Sequence, residues 1–288
     1  MRRQFVYVKR HKKIQEEIDM AAVVIAGYYE QGYRMTVRQV FYQLVARNKI
    51  ANSLWWYNRI VERVKMGRLD GVIDWDAIED RARQPHLQYC VADIGQALED
   101  TIEQYKLDRQ ATQPKRLEVW CEKRAVEGIL KPVCEKYHIP LLIGGGAFSL
   151  TCRKAAADRL SYEARPITIL YIGDYDPAGI TFRKNIEDSF DMFGVEDFEV
   201  VMIALTKEQV IEHNLPPQPV KQSDCRAEQW RETEGEDVCE LDALGPDLLK
   251  EIIEEAISER LDDTAFGKMM AREVVDRITL KEMVEGLE

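Results

Sequence analysis

The sequence predicts an α/β protein in which a helical N-terminal part precedes a mainly parallel β-sheet. In the first 83 residues, apolar side chains recur at the three- and four-residue spacing of amphipathic helices. After Pro114, short apolar runs typical of strands alternate with helical stretches, the pattern of βαβ units with helices on both faces of a sheet. The length of 288 residues fits roughly two domains.

Charge divides the chain in the same way. The whole chain carries 40 Lys and Arg residues against 51 Asp and Glu, a net charge of −11. Residues 1–83, however, hold 16 basic residues against 10 acidic ones, and residues 84–288 hold 24 against 41. A basic part within an acidic chain indicates a nucleic-acid partner, although a basic helical surface without a partner has the same composition.

Composition also excludes several classes of protein. No apolar run approaches the roughly 18 residues of a membrane span, and the basic start lacks the apolar segment of a secretory signal. The six cysteines are scattered without a paired spacing, which argues against a zinc site or a disulfide framework. We therefore expect a cytoplasmic protein, associated with the nucleoid, and no membrane partner.

The N-terminal part is predicted to form three helices. The first covers residues 10–31, Thr36 is expected to cap the second, and Asn52 or Ser53 the third. With the turn at Gly71, this order favours a winged-helix module, in which a basic helix contacts DNA; a plain three-helix bundle has the same helix count. The basic residues expected to contact DNA from the third helix are Arg59, Arg63, Lys65 and Arg68.

A linking helix over residues 88–109, within a linker at 86–115, leads into the predicted sheet. Apolar runs predict four strands, within residues 116–121, 139–146, 167–179 and 198–205. An acidic helix is expected from about residue 246 to 260. Parallel sheets bind ligands beyond the carboxyl ends of their strands, which is where Glu122, the glycines at 144–146 and Asp174 lie.

Acidic residues close two of these strands. Asp174 and Asp176 stand two residues apart after an apolar run, and Glu122 follows another strand in the same way. Carboxylates held this close raise each other's pKa or recruit a cation, and hard oxygen ligands are those that Mg²⁺ prefers. The pattern therefore predicts a magnesium site, with a solvated turn as the alternative.

These residues resemble a known family. Glu122 in LEVWCEKRAVEGIL, followed by IGDYDPAG, is similar to the Toprim domain shared by topoisomerases, primases and several nucleases. The closer likeness is to the A subunit of topoisomerase VI and its meiotic double-strand-break relative. Four further segments support it in the family's order, over roughly residues 34–260: TVRQVFYQL, LLIGGGAFSLTCR, LPPQPVKQSDCRA and CELDALGPDLL.

The resemblance implies a domain organisation and partners. It implies a winged-helix-like domain over residues 1–85, a helical linker over 86–115, and a Toprim domain with an acidic helical C-terminal extension over 116–288. It also implies a homodimer that acts on double-stranded DNA with Mg²⁺ held by Glu122, Asp174 and Asp176. The chain holds no Gly-rich phosphate loop, so strand passage would need a separate ATPase subunit of the B type.

The resemblance also implies a nucleophile. In the family pattern R-x-x-[FY]-Y, which reads here from Arg38 to Tyr42, the final tyrosine attacks DNA and is linked to the 5′ end. Arg38, one helical turn away, would stabilise charge on the phenolate or the phosphate. The metal would come from the partner protomer. Without the flanking motifs, Tyr42 reads as a tyrosine packed on an amphipathic helix beside Leu44.

Three more residues match the family's segments. Arg153 is a candidate DNA contact or a surface arginine, and Glu240 and Asp242 are expected to support the metal site from outside it. Two alternatives to tyrosine transesterification remain. One is a Toprim nuclease that hydrolyses DNA with an activated water and no covalent intermediate, and the other is a non-catalytic DNA-binding subunit of a larger complex.

Overall fold

The computed structural model describes residues 2, 4–7, 9–79 and 89–285. The predicted domain boundary at residues 85 and 86 lies outside these ranges. In the described part of the chain, no helix combines the length and the apolar composition that a membrane crossing requires.

Three helices form the N-terminal unit, as predicted: α1 (Lys12–Glu30), α2 (Val37–Ala46) and α3 (Leu54–Leu69). Thr36 begins α2 with a capping box, in which its side chain accepts from the Gln39 backbone and the Gln39 side chain accepts from Thr36. Ser53, rather than Asn52, caps α3. In the described part of this unit, the one strand-type pairing is a bridge between Met35 and Ile78.

The rest of the chain alternates strands and helices. In order these are α4 (Ile94–Gln104), β1 (Arg116–Cys121), α5 (Glu127–Tyr137), β2 (Leu141–Ile143), α6 (Leu150–Leu160), β3 (Ile167–Ile172), α7 (Pro177–Met192) and β4 (Phe198–Ala204). The chain continues through α8 (Lys207–Glu212), β5 (Gln218–Pro219), α9 (Ala227–Thr233), β6 (Asp237–Val238), α10 (Pro246–Ser258) and α11 (Asp263–Glu285).

The main sheet has four parallel strands in the order β2-β1-β3-β4, which confirms the predicted α/β class and parallel sheet. Its two central strands, β1 and β3, are almost wholly buried because helices cover both faces. Side chains of α5 and α10 pack on one face, around Val119 and Cys121. Side chains of α6 and α7 pack on the other, around Trp120.

The C-terminal extension is helical, as predicted, and α11 is anchored by one buried carboxylate. Glu273 accepts from the Arg109 guanidinium at 3.0 Å, from Arg277 at 2.9 Å and from the Leu107 backbone N–H at 3.1 Å. These bonds hold α11 against the segment that links α4 to β1.

Helix α2 packs on the α/β part of the same chain. It contacts the 3₁₀ turn Leu241–Ala243, which follows β6. Gln43 Nε2 donates to the Ala243 carbonyl at 3.5 Å, while its Oε1 accepts from the Tyr28 hydroxyl at 2.8 Å. This contact brings α2 to the carboxyl edge of the parallel sheet.

Candidate active site

Glu122 and Asp174 meet at the carboxyl edge of the sheet. Strands β1 and β3 are neighbours with Cys121 opposite Ile172, so the residues that follow them emerge at the same level. Glu122 Oε1 accepts from the Asp174 backbone N–H at 2.9 Å, and Oε2 accepts from the Tyr171 hydroxyl at 3.0 Å. The structure therefore brings together two of the three predicted metal ligands.

Both carboxyl groups carry raised pKa values. Burial, together with the negative charges of Asp174 and Asp176, raises the pKa of Glu122 to about 7. Burial also raises the pKa of Asp174, although the neighbouring Lys123 ammonium acts in the opposite direction. This edge of the sheet is thus an environment in which an added cation is favourable.

Asp176 lies on the same edge and begins helix α7. Its Oδ1 accepts from the Gly179 backbone N–H at 2.7 Å, and Pro177 occupies the first helical turn. Gly179 is required at this turn, because a Cβ atom there would lie 2.3 Å from the Asp174 carbonyl oxygen. The turn therefore fixes Asp174 and Asp176 relative to each other.

Lys123 places a positive charge among the carboxylates. Its Nζ lies 2.7 Å from Asp174 Oδ1, 3.2 Å from Asp242 Oδ2 and 3.3 Å from Glu240 Oε2. Burial alone would lower the pKa of this ammonium, but the three carboxylates raise it above its ordinary value. Sequence reasoning missed Lys123, and the available signal was its position directly after Glu122 at a strand end.

Glu240 and Asp242 belong to the cluster itself, not to its surroundings. An antiparallel bridge between Tyr175 and Cys239 aligns the segment after β6 with the end of β3. Asp174 Oδ1 then accepts from the Leu241 backbone N–H at 2.7 Å. The Asp242 side chain is 1% exposed, and its Oδ1 has no hydrogen-bond partner among the described residues.

Helix α2 contributes Arg38 and Tyr42 to the same cluster. Arg38 donates to Glu240 Oε2 at 2.5 Å, its Nε lies 3.5 Å from Asp242 Oδ2, and its guanidinium is 5.9 Å from the Tyr42 ring centre. Tyr42 is 5% exposed. Burial, and then the neighbouring Glu240 carboxylate, raise the pKa of the Tyr42 phenol well above its ordinary value. Within one chain, Arg38 therefore connects the helix that carries Tyr42 to Glu240 and Asp242.

A cleft of about 640 Å³ opens over the cluster. Glu122, Asp174 and Asp176 line it together with Arg38, whereas the Tyr42 side chain is buried. The glycines at 145–146 and the segment 218–221 complete its walls. The Gly146 N–H donates to the Glu122 carbonyl at 3.0 Å, so the glycines form a tight turn after β2.

The described residues contain no group of three carboxylate, imidazole or thiolate side chains that converges as a metal cage. Mg²⁺, however, commonly takes one or two carboxylates and completes its shell with water and phosphate oxygens. Glu122 and Asp174 fit such a site, because both line the cleft and have raised pKa values. Asp242, which lines the same cleft, has a buried Oδ1 that bonds to no other group in the described part of the chain.

Most basic residues predicted to contact DNA are held within the protein. Arg63 is buried and lies 2.7 Å from Glu17, which Arg59 also contacts at 2.7 Å. These two arginines join α3 to α1 and stabilise the packing of the two helices. Lys65 is exposed, with Glu62 at 3.5 Å, and remains a candidate surface contact.

Arg68 and Arg153 are also engaged within the chain. The Arg68 guanidinium lies 4.2 Å from the Trp75 ring centre and donates to the Trp75 carbonyl at 3.2 Å. Arg153 on α6 donates to the Ser189 hydroxyl at 2.6 Å and to the Asn185 carbonyl, both on α7. Arg153 therefore holds two helices together.

No protein-family model matches the chain, and no curated protein sequence is significantly similar to it.

Proposed function

We propose that this chain is a magnesium-dependent DNA-cleaving enzyme similar to the topoisomerase VI A subunit, with Tyr42 as nucleophile. The observation that carries the proposal is the position of Glu240. Its carboxylate accepts from Arg38 at 2.5 Å, adds to burial in raising the pKa of the Tyr42 phenol, and lies 3.3 Å from the Lys123 ammonium, which also contacts Asp174. The helix that carries the proposed nucleophile is thus tied through Arg38 to a carboxylate cluster suited to a metal ion.

In the proposed cleavage, one bond forms at phosphorus, one bond breaks there, and each proton has a donor and an acceptor. The Tyr42 oxygen attacks the phosphorus, a phenol–phosphorus bond forms, and the bond to the 3′ oxygen breaks. Glu240 is the proposed acceptor of the phenolic proton. Burial alone would raise the pKa of this carboxyl, but Lys123, Tyr42 and Arg38 keep it below its ordinary value, so Glu240 is a weak base and the transfer must accompany formation of the phenol–phosphorus bond. The 3′ oxygen leaves as a hydroxyl after taking a proton from solvent, and the 5′ phosphate stays on Tyr42.

Positive charge at the cleft supports binding of the phosphate. Arg38 and Lys123 line the cleft and would stabilise negative charge that develops on the phosphate oxygens. Bound Mg²⁺ would add Lewis-acid stabilisation of the same oxygens, with Glu122 and Asp174 as its protein ligands and Asp176 beside them.

We also propose roles for the two parts of the chain, its partners and its cellular setting. A winged-helix role for α1–α3 and a Toprim role for the parallel sheet are supported by the ordered motifs and by the basic first 83 residues. Double-stranded DNA is the proposed substrate and a homodimer the proposed state. A separate ATPase subunit follows from the same resemblance, and a cytoplasmic, nucleoid-associated setting follows from the composition together with the proposed DNA substrate.

One observation favours a second candidate function. Tyr42 is 5% exposed, has a raised pKa and does not line the cleft, whereas the partly exposed Asp174 and Asp176 line it together with Glu122. This arrangement suits a nuclease in which an activated water attacks the phosphate and no covalent intermediate forms. Under the first proposal, helix α2 must shift before Tyr42 can reach DNA.

Trapping a covalent adduct separates the two functions. Supercoiled plasmid and Mg²⁺ are incubated with the wild type, with Tyr42→Phe, and with Tyr162→Phe as a control at a 91% exposed tyrosine. We expect a protein-linked, cut plasmid for the wild type and the control, and neither cutting nor adduct for Tyr42→Phe. Cutting by Tyr42→Phe without an adduct would establish hydrolysis.

The carboxylates provide the test of the shared metal site. Glu122→Ala and Asp174→Ala are expected to abolish cutting by either route. If both variants cut as well as the wild type, the magnesium site is not at this cleft. If the wild type binds DNA and never cuts it, the chain is a non-catalytic subunit.

A further inference from the structure

We propose that Lys123 is a built-in counter-ion of the carboxylate cluster, and that Mg²⁺ and a DNA phosphate bind cooperatively because both draw it away from Asp174. The inference rests on the proposed function and adds a positioning residue to it. Lys123 would hold the cluster together without ligand and then neutralise the incoming phosphate.

The charges at the cleft require such a counter-ion. Five carboxylates line this end of the sheet: Glu122, Asp174, Asp176, Glu240 and Asp242. Lys123 contacts three of them within 3.3 Å and is 17% exposed, so its position is fixed by ion pairing in a poorly hydrated place. Removing this charge leaves buried carboxylates facing one another, which is unfavourable without another cation.

Lys123 and a metal ion compete for the same oxygen. The Lys123 Nζ is 2.7 Å from Asp174 Oδ1, which also accepts from the Leu241 N–H. Mg²⁺ binds carboxylate oxygens at about 2.0–2.1 Å, so an ion on Asp174 would lie against the ammonium and be repelled by it. In the absence of DNA, Lys123 should therefore weaken magnesium binding.

A DNA phosphate relieves this competition. Lys123 lines the open cleft, as Arg38 does, so its flexible side chain can turn from Asp174 toward a phosphate oxygen there. The phosphate both replaces the lost carboxylate partner and supplies oxygen ligands to Mg²⁺. Each ligand then removes an obstacle to the other, which is the condition for positive coupling between two binding events.

The test measures Mg²⁺ affinity by isothermal titration calorimetry, with and without a short DNA duplex, in a Tyr42→Phe background that forms no covalent adduct. We expect DNA to raise Mg²⁺ affinity about tenfold or more when Lys123 is present. Lys123→Met should bind Mg²⁺ about tenfold more tightly without DNA and show little further gain with it. Lys123→Arg, which keeps the charge, should restore the dependence on DNA.

Lys221→Met is the matched control, because Lys221 lines the same cleft on its exposed wall. It should change Mg²⁺ affinity much less than Lys123→Met. The inference is overturned if Lys123→Met binds Mg²⁺ no more tightly than the wild type, or if it retains the full coupling to DNA.

Failure of this inference and failure of the proposed function give different experimental results. If DNA does not bind at all, the proposed function fails, yet the titrations without DNA still decide the role of Lys123. If Lys123→Met does not fold, as circular dichroism would show, the wild type itself decides: Mg²⁺ affinity that does not change with DNA contradicts the inference.

Discussion

Arg38 on helix α2 donates to Glu240 at 2.5 Å, across 202 positions of sequence. The bond ties the helix that carries Tyr42 to the carboxylate cluster of the parallel sheet. Arg38 is half exposed, so the contact is accessible to solvent and its strength depends on ionic strength. This ion pair holds α2 close to the carboxylate cluster, but less rigidly than buried apolar contacts would.

Arg38→Gln should therefore impair catalysis more than stability. Loss of a charge that stabilises the phosphate is expected to slow DNA cleavage about 10²–10³-fold, while the melting temperature changes little. Lys49→Gln, which removes an exposed charge just after α2, is the control and should cleave normally. Comparable cleavage by both variants would show that Arg38 only anchors the helix.

Glu122→Gln should stabilise the protein above neutral pH. The Glu122 pKa is about 7 in the folded chain against an ordinary 4.5, so its ionisation opposes folding as pH rises through this interval. This loss of stability is absent below about pH 4.5 and complete above about pH 7, where it reaches about 3 kcal/mol. The substitution removes that cost at the same time as a metal ligand.

Urea unfolding of the wild type and Glu122→Gln, without metal, checks this prediction. The difference in unfolding free energy should be near zero at about pH 4.5 and should favour the variant at pH 8. A variant that is less stable than the wild type at pH 8 would mean that Glu122 is stabilised as a carboxylate.

Glu17→Ala should strongly destabilise the N-terminal helices. Glu17 is buried and is bonded by Arg59 and Arg63, so its removal leaves two cations without their partner. Breaking a buried pair in this way costs about 3–5 kcal/mol. Glu16→Ala, one residue away at an exposed pair with Lys12, should cost less than about 0.5 kcal/mol by thermal unfolding. Equal losses would contradict the structural role of this pair.

Salt dependence distinguishes a DNA contact from a structural arginine. Lys65 is exposed on α3, and Lys65→Gln should lower the slope of log K against log[salt] for duplex DNA by about 0.9 without changing stability. Arg63→Gln should lower the melting temperature instead, because Arg63 is buried against Glu17. An unchanged slope for Lys65→Gln would remove α3 from the DNA-binding surface.

The sequence predicted elements whose signals are local. The first strand, 116–121, was predicted at its observed bounds, and the second helix begins where Thr36 was expected to cap it. The linking helix is shorter than predicted, because Asp93 caps it at Ile94. Helix α7 starts at Pro177, inside the segment 167–179 that was assigned to a strand, because the Asp176 side chain caps it.

The sequence predicted only some of the residues that form the candidate site. Glu122 and Asp174 were identifiable since parallel strands bring their carboxyl ends to one edge. Lys123 was not, because its partners Asp174 and Glu240 lie 51 and 117 positions away. Glu240 was named only from a family segment, and its place in the cluster depends on the bridge between Tyr175 and Cys239. The burial of Arg63 likewise depends on how α1 packs against α3.

Gly179→Ala should distort the turn that holds Asp174 and Asp176. The added Cβ would lie 2.3 Å from the Asp174 carbonyl oxygen, so the backbone at Asp174 must move. We expect a loss of about 1–3 kcal/mol in the free energy of unfolding, together with weaker Mg²⁺ binding, as urea unfolding and calorimetry would measure. Gly27→Ala is the matched control: its Cβ meets nothing within 4 Å on α1, and it should stabilise the helix by up to about 1 kcal/mol. If Gly179→Ala binds Mg²⁺ as the wild type does despite its lower stability, Asp174 does not hold the metal.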